Sequence, residues 1–223
     1  MIINNIIIED IMFIKICGIK SLRELKIVEK YANATGVIVE STSKRTISLS
    51  KSKELIKNSN IPVFTVSTLE DFESWSNIVE KTKTEYIQIH SDMEPDAIEK
   101  LKEEYGLFIM KAFKVPKSTS SPERDAEKII NQIMEYYNII DRVLLDTGKG
   151  CGVTHDHRIS KIICKTVGKN FEIVLAGGLN PENVGEIVNY VQPFGVDASS
   201  GVERNNEKNE ELIKLFVNAV RSN

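Results

Sequence analysis

Eight short apolar segments alternate along the chain with longer segments in which apolar residues recur at the period of a helix. This alternation is the pattern expected of successive β-α units. The predicted strands are FIKIC (13–17), GVIVE (36–40), PVFTV (62–66), YIQIH (86–90), LFIMKAF (107–113), RVLLD (142–146), EIVLAG (172–177) and GVDAS (195–199). Eight such units predict an α/β fold, the (β/α)8 or TIM barrel, whose parallel strands all end at one mouth. An open doubly wound sheet is the alternative, disfavoured because no glycine fingerprint follows the first strand.

Several of the longer segments begin with residues that cap helices. Ser21 is followed three residues later by Glu24, and Thr68 by Asp71, which is the spacing of a capping box. Asn180 precedes Pro181, and proline suits the first position of a helix. The predicted helices include SLRELKIVEKYA, TLEDFESWSNIVEKT, EPDAIEKLKEEY, RDAEKIINQIMEYY, NPENVGEIVNYV and NEELIKLFVNAV.

The composition fits one domain and argues against two classes of partner. The 223 residues are 41% hydrophobic, and we expect residues 12–223 to form a single barrel domain after an N-terminal extension of residues 1–11. The formal net charge is −3 with both signs interspersed, so neither nucleic acid nor a membrane is an expected partner. An odd number of cysteines, three, suits free thiols in a reducing compartment, and a cytoplasmic protein is expected. A monomer and a homodimer both remain open.

If the barrel forms, the polar residues that end its strands converge on the mouth. They are Cys17, Glu40, His90, Asp146, the pair Gly177 and Gly178, and the stretch 199–203. The last two strands lead into the loops GGLNPENV and SSGVE, where small residues expose backbone N–H groups shortly before a helical segment. Such N–H groups and helix N-termini hold a phosphate dianion, so we predict a phosphate site there. The alternative is that the glycines only make tight turns.

Two residues at this mouth could transfer protons. Asp146 ends a strongly apolar strand, where a carboxyl with a raised pKa can act as a general acid, although a helix cap or a lysine partner would explain it equally well. Cys17 ends the first strand, and its thiolate could accept a proton if nearby positive charge lowers its pKa. The alternative for Cys17 is a buried cysteine that packs as a small apolar residue.

The motifs KICGI, QIH, LLD, AGGLNPENV and VDASSGVE occur in this order on strands one, four, six, seven and eight. From about Phe13 to the C-terminus the chain resembles the phosphoribosylanthranilate isomerase family of tryptophan biosynthesis. The resemblance implies an aldose–ketose isomerase that performs an Amadori rearrangement of N-(5-phosphoribosyl)anthranilate, with no metal and no organic cofactor. It implies Cys17 as general base and Asp146 as general acid. It further implies substrate contacts at Arg45, His90 and Asp197, and phosphate contacts at Gly177, Gly178, Ser199, Ser200 and Gly201.

The chain departs from the family pattern in several loops, and two other functions remain open. Lys20 replaces a threonine after KICGI, Lys44 a proline before Arg45, and Ser91 a glycine after His90. The loop after strand six is also unusual, and it contains Cys151, His155 and His157. With no fourth ligand at suitable spacing, we expect a solvated loop leading into a helix there and no metal site. The competing functions are a different phosphosugar isomerase and a non-catalytic barrel that binds a phosphosugar.

Overall fold

The computed structural model describes residues 12–148 and 154–222, so the predicted N-terminal extension lies outside the described residues. Eight parallel strands close into a barrel in sequence order. They are β1 (Phe13–Cys17), β2 (Ala34–Ile38), β3 (Val63–Ser67), β4 (Tyr86–Ile89), β5 (Phe108–Lys114), β6 (Arg142–Asp146), β7 (Glu172–Leu175) and β8 (Gly195–Ala198). The predicted (β/α)8 barrel is therefore confirmed.

A helix follows each strand. The helices are α1 (Leu22–Val28), α2 (Leu49–Lys57), α3 (Phe72–Thr82), α4 (Pro95–Tyr105), α5 (Pro122–Met134), α6 (His157–Val167), α7 (Val184–Val191) and α8 (Glu210–Arg221). In the part of the chain that the structure describes, no helix combines the length and the apolar character needed to cross a membrane.

The register of the closing strands decides which side chains meet inside the barrel. On one side of β1, Cys17 lies opposite Gly36 of β2. On the other side, Lys15 lies opposite Asp197 of β8. Because side chains alternate between the two faces of a strand, Lys15 and Cys17 share the inward face, whereas Ile14 and Ile16 face the helices.

Some element boundaries differ from those predicted. Strand β2 ends at Ile38, two residues before the predicted end, so the Glu40 side chain is exposed beyond the strand instead of ending it. Helix α3 is capped by Asp71, which accepts the Ser74 N–H, and not by Thr68. The cap at Ser21 is confirmed, since its hydroxyl accepts the Glu24 N–H.

The predicted start of α7 at Pro181 is wrong, because residues 181–183 form a turn and the helix begins at Val184. Asn180 stabilises this turn: its side-chain oxygen accepts the N–H groups of Glu182 and Asn183 at 2.8 and 3.1 Å. An asparagine that caps a turn and one that caps a helix have the same sequence pattern, which explains the error.

Side chains fill the barrel interior below the mouth. The rings of Phe64, Tyr86 and Phe108 contact one another with centroids 5.5–6.0 Å apart. Nearby, the Arg142 guanidinium lies 4.2 Å from the Phe13 ring centroid and 5.1 Å from that of Phe108. A second, larger apolar layer lies between strands and helices. The chemistry must therefore take place at the open end of the strands.

A small hairpin, β9 (Glu203–Arg204) and β10 (Glu207–Lys208), follows β8 and lies at the end of β1. It is fixed there by Glu24, whose carboxylate accepts the backbone N–H of Lys208 at 2.9 Å and that of Lys20 at 2.5 Å. Glu24 thus binds the hairpin instead of completing a capping box with Ser21, and the hairpin forms one wall of the mouth.

Candidate active site

Four of the predicted residues line the barrel mouth: Cys17 from β1, His90 just after β4, Asp146 from β6 and Asp197 from β8. On one side of the mouth, His90 Nε2 lies 3.4 Å from Asp146 Oδ2. On the other side, a buried lysine that the sequence analysis did not single out, Lys15, joins Cys17 and Asp197. The mouth therefore holds two sets of polar side chains. One set is the imidazole of His90 with the carboxylate of Asp146, and the other is the thiol of Cys17 with the Lys15–Asp197 ion pair.

Cys17 is almost completely buried, with 6% of its surface exposed. Gly36 on the neighbouring strand makes room for its sulfur, because a Cβ at Gly36 would lie 2.8 Å from Cys17 Sγ and 3.2 Å from Lys15 Nζ. Burial raises the pKa of the Cys17 thiol above its ordinary value, and the negative charge of Asp197 acts in the same direction, whereas the positive charges of Lys15 and Lys208 act to lower it. The thiol is thus in a desolvated position where Lys15 and Lys208 oppose the effect of burial.

Lys15 is fully buried, and its Nζ lies 2.8 Å from Asp197 Oδ2. Burial alone would lower the pKa of this ammonium, but the negative charges of Asp197 and Cys17 outweigh burial and the pKa lies above its ordinary value. The other oxygen of Asp197, Oδ1, is buried and has no hydrogen-bond partner among the residues that the structure describes. A buried carboxylate oxygen in this condition can accept a hydrogen bond from a ligand hydroxyl.

The Asp146 side chain has room at the mouth because the residue beside it in the loop after β7, Gly177, has no side chain. A Cβ at Gly177 would lie 2.7 Å from Asp146 Oδ1 and 2.6 Å from Thr147 Oγ1. Thr147 Oγ1 and the Gly148 N–H both donate to Asp146 Oδ1 at 3.3 Å. Oδ2 faces His90, so the carboxyl is oriented across the mouth.

The two loops predicted to bind phosphate meet at the same mouth. Gly177 and Gly178, after β7, have φ angles of +84° and +68°, which only glycine adopts readily. Gly201, after β8, packs on the first loop so closely that a Cβ would lie 1.9 Å from the Leu179 carbonyl oxygen. Glycine is therefore needed at 201 to let the two loops approach each other, and it suits 177 and 178 because of their positive φ angles.

The serines of the second loop differ in their contacts. The Ser199 hydroxyl donates to the Cys17 carbonyl at 3.0 Å and so ties β8 to β1. Ser200 is exposed and begins a short 3₁₀ turn, Ser200–Val202. In the first loop, the Asn183 side-chain amide donates to the Gly178 carbonyl at 3.1 Å, which holds that peptide in place.

Arg45 also lies at the mouth, where its guanidinium binds Glu203 of the hairpin with Nε to Oε1 at 2.7 Å and Nη2 to Oε2 at 2.8 Å. Lys208 Nζ lies 2.7 Å from the same Oε1. These contacts with Arg45 and Lys208 outweigh the effect of burial and lower the pKa of Glu203 to about 2. Glu203 thus stays ionised and holds Arg45 beside Gly18, whose Cβ would lie 2.5 Å from Arg45 Cδ.

Lys15 and Lys208 were not among the site residues predicted from the sequence. A signal for Lys15 was present, since a lysine two residues before Cys17 in an apolar strand must point to the same side as the cysteine. No comparable signal exists for Lys208, because its contact with Glu203 depends on the shape of the hairpin.

The histidines after β6 are not solvated as predicted. His155 is buried, its Nε2 lies 2.6 Å from Ser160 Oγ, and burial lowers its pKa to about 3. The His155 and His157 rings contact each other with centroids 4.6 Å apart, and α6 begins at His157. Cys151 lies outside the described residues. Across residues 12–148 and 154–222, no three His, Cys, Asp or Glu side chains are grouped to hold a metal ion.

Comparison with known proteins gives consistent matches over almost the whole chain. The family model described as N-(5'phosphoribosyl)anthranilate (PRA) isomerase matches residues 14–219. An N-(5'-phosphoribosyl)anthranilate isomerase of Methanococcus aeolicus is 60% identical over 212 residues, which are 95% of this chain and 99% of that protein.

Solved structures agree with the sequence matches. The structure of N-(5'-phosphoribosyl)anthranilate isomerase from Pyrococcus furiosus has a TM-score of 0.87 and 48% identity, covering 95% of this chain and all of that one. A phosphoribosyl anthranilate isomerase in complex with reduced 1-(o-carboxyphenylamino)-1-deoxyribulose 5-phosphate has a TM-score of 0.76 and 28% identity, with 95% of this chain and 100% of that one covered.

Proposed function

The chain belongs to the N-(5'-phosphoribosyl)anthranilate isomerase family, and from that premise we propose that Cys17 and Asp146 are the acid–base pair of its reaction. The reaction is the Amadori rearrangement of N-(5-phosphoribosyl)anthranilate to 1-(2-carboxyphenylamino)-1-deoxyribulose 5-phosphate, an aldose–ketose isomerisation. The observation that carries the proposal is the meeting at one mouth of a buried thiol, with Lys15 and Lys208 among the charges that act on it, and a carboxyl oriented by Thr147 and His90.

In the first step, Asp146 protonates the furanose ring oxygen as the bond from that oxygen to C1 breaks, which gives an open-chain Schiff base. In the second step, the Cys17 thiolate removes the proton from C2, and the electron pair moves toward the iminium nitrogen to form an enolamine. The enolamine then takes a proton at C1 and loses the proton of its C2 hydroxyl to solvent, which gives the ketone. The substrate's own nitrogen accepts the electrons, so these steps require no added redox group.

The remaining contacts position the substrate, and phosphate binding energy supplies much of that positioning. We assign the phosphate to the loops of Gly177 and Gly178 and of residues 199–201, whose backbones meet closely. Asp197 Oδ1, buried without a described partner, accepts a sugar hydroxyl. Arg45 uses Nε and Nη2 for Glu203, which leaves Nη1 to bind the anthranilate carboxylate.

His90 has a different part in this scheme. Its Nε2 contacts the Asp146 carboxylate, so we assign it to the orientation of the general acid and of the substrate beside it, and not to proton transfer with the sugar.

The test follows the fluorescence of phosphoribosylanthranilate, generated in the cuvette, as the purified protein consumes it. Turnover by the unchanged chain, together with losses of kcat of at least a thousandfold in Cys17→Ser and Asp146→Asn, is the expected result. Cys164→Ser is the matched control, because Cys164 lies on α6, away from the mouth, and should keep full activity.

The other outcomes decide between the competing functions. Turnover that survives in Cys17→Ser would refute the assigned base. An inactive unchanged chain whose melting temperature still rises with inorganic phosphate would favour the non-catalytic binding protein.

A further inference from the structure

We propose that Lys15 is a positioning residue that holds the Cys17 sulfur in its proton-accepting, negatively charged form. The inference rests on the proposed function, in which Cys17 is the base, and it adds the group that keeps the base ready. Lys15 lies two residues before Cys17 on β1, so both side chains point into the barrel from adjacent levels of the same strand.

A fully buried lysine needs a reason, because lysine is almost never buried without a partner. Lys15 Nζ has one direct ion pair, with Asp197 Oδ2 at 2.8 Å. Its Nζ and the Cys17 Sγ also border the same small space, the one that a side chain at Gly36 would occupy. The ammonium therefore lies between the carboxylate on one neighbouring strand and the sulfur on its own strand.

The charges around the sulfur leave room for one more negative charge. Three cations, Lys15, Arg45 and Lys208, lie there with two carboxylates, Asp197 and Glu203, so the five side chains together carry one positive unit. Without the Lys15 ammonium this excess is gone. A thiolate at Cys17 balances that charge, whereas a neutral thiol leaves a buried excess cation.

The other titratable groups at the mouth lie farther around the barrel. Asp146 and His90, from β6 and β4, face each other across the opening. Within the described residues, the charged groups that act on the Cys17 sulfur are Lys15 on the same strand, Asp197 on β8, Lys208 on the hairpin and Arg45. Glu203 lies beside the last two and binds both.

A simpler role for Lys15 is to neutralise Asp197 without any effect on the sulfur. The two roles are separated by removing the ammonium and the carboxylate together. The pair to compare is the unchanged protein and the double variant Lys15→Met with Asp197→Asn, because neither leaves a buried member of this ion pair without its partner. Lys111→Met is the matched control, since Lys111 is also buried but lies among the outer layer beside Phe113 and Tyr136.

The readout is ionisation of the Cys17 thiol. Its alkylation rate by iodoacetamide is measured against pH, with mass spectrometry of the Cys17 peptide to exclude the other cysteines. Thiolate ultraviolet absorbance, taken as the difference from a matched Cys17→Ser protein, gives the same curve without reagent access. We expect Cys17 of the double variant to ionise at a pH at least one unit above that of the unchanged protein, which is a tenfold or greater fall in alkylation rate near neutral pH. Lys111→Met should match the unchanged protein.

Identical ionisation curves for the unchanged protein and the double variant would overturn the proposal and leave Lys15 as a counter-ion only. The double variant should also have a kcat at least tenfold below that of Asp197→Asn with little difference in KM, because both variants lack the Asp197 carboxylate. If the unchanged chain shows no turnover while the thiol curves still differ, the proposed reaction fails and the effect of Lys15 on the sulfur stands.

Discussion

Gly177→Ala tests whether the loop after β7 sets the position of the Asp146 carboxyl. Gly177 has a φ of +84°, and a Cβ there would lie 2.7 Å from Asp146 Oδ1, 2.6 Å from Thr147 Oγ1 and 3.0 Å from Thr147 N. The two side-chain oxygens are hydrogen-bonded to each other, and the backbone nitrogen cannot rotate away. The methyl group must therefore displace the carboxyl, the loop, or both.

The expected loss of stability has two parts. A non-glycine residue in the left-handed region costs about 1–2 kcal/mol, and forcing one carbon into a packed site costs a further 1–3 kcal/mol or so. The free energy of unfolding should thus fall by about 2–5 kcal/mol. Gly106→Ala is the matched control: its φ is +65°, but nothing lies within 4 Å of its Cβ position, so only the backbone part applies.

Urea denaturation of both variants gives the two stability losses, and their difference isolates the steric part. The fluorescence assay gives kcat, which should fall about tenfold to a hundredfold in Gly177→Ala, because Asp146, the proposed general acid, is moved away from its proposed position beside the substrate ring oxygen. Gly106→Ala should keep its kcat. Equal stability losses in the two variants, with full activity in both, would refute the claim that Gly177 makes room for Asp146.

Three further perturbations test other parts of the mouth and its surroundings. Burial lowers the pKa of His155 to about 3, so below about pH 6.5 this histidine binds a proton in the unfolded chain but not in the folded chain. The free energy of unfolding should therefore decrease as the pH is lowered from about 6.5 to about 3, by up to about 1.4 kcal/mol per pH unit. Urea denaturation at several pH values should show this slope flattened in His155→Gln. Glu203 has a pKa lowered to about 2, so its contribution to stability is present above its ordinary pKa and is lost as the pH falls toward 2. The stability of Glu203→Gln should therefore depend less on acid pH in the same assay. Its KM should rise, because Arg45 is no longer held in place. Gly201→Ala would place a methyl 1.9 Å from the Leu179 carbonyl oxygen, separate the two glycine loops and weaken inorganic phosphate binding in calorimetry by about tenfold.

The sequence predicted the barrel because alternating strand and helix periods survive in every unit, and the count of eight leaves few closed topologies. The predicted bounds of β1 and β6 match the observed ones, since the strand pairing ends at Cys17 and Asp146, where each apolar segment also ends. The predicted end of β2 at Glu40 was wrong, because the apolar segment continues beyond Ile38, where the strand ends. It also failed at Pro181, where a turn and a helix cap share one pattern.

The side-chain contacts within the candidate site were harder to predict from the sequence than the residues that line it. The ion pair of Arg45 with Glu203 joins residues 158 positions apart. It depends on how the β9–β10 hairpin packs against the loop that follows β1. Likewise the burial of His155 depends on α6, because Ser160 reaches back to its ring. Such contacts are set by tertiary packing, which periodicity and spacing do not describe. The Lys15 side chain, by contrast, could have been placed from strand alternation alone.

The packed aromatic rings and Arg142 below the mouth have a consequence for substrate entry and product release. Because these side chains fill the barrel interior, substrate and product must enter and leave through the same opening at the mouth. In the proposed isomerisation, a product molecule still bound at the mouth excludes the next substrate molecule, so product inhibition should be competitive. Continued turnover would then depend on a later reaction that removes the product from solution.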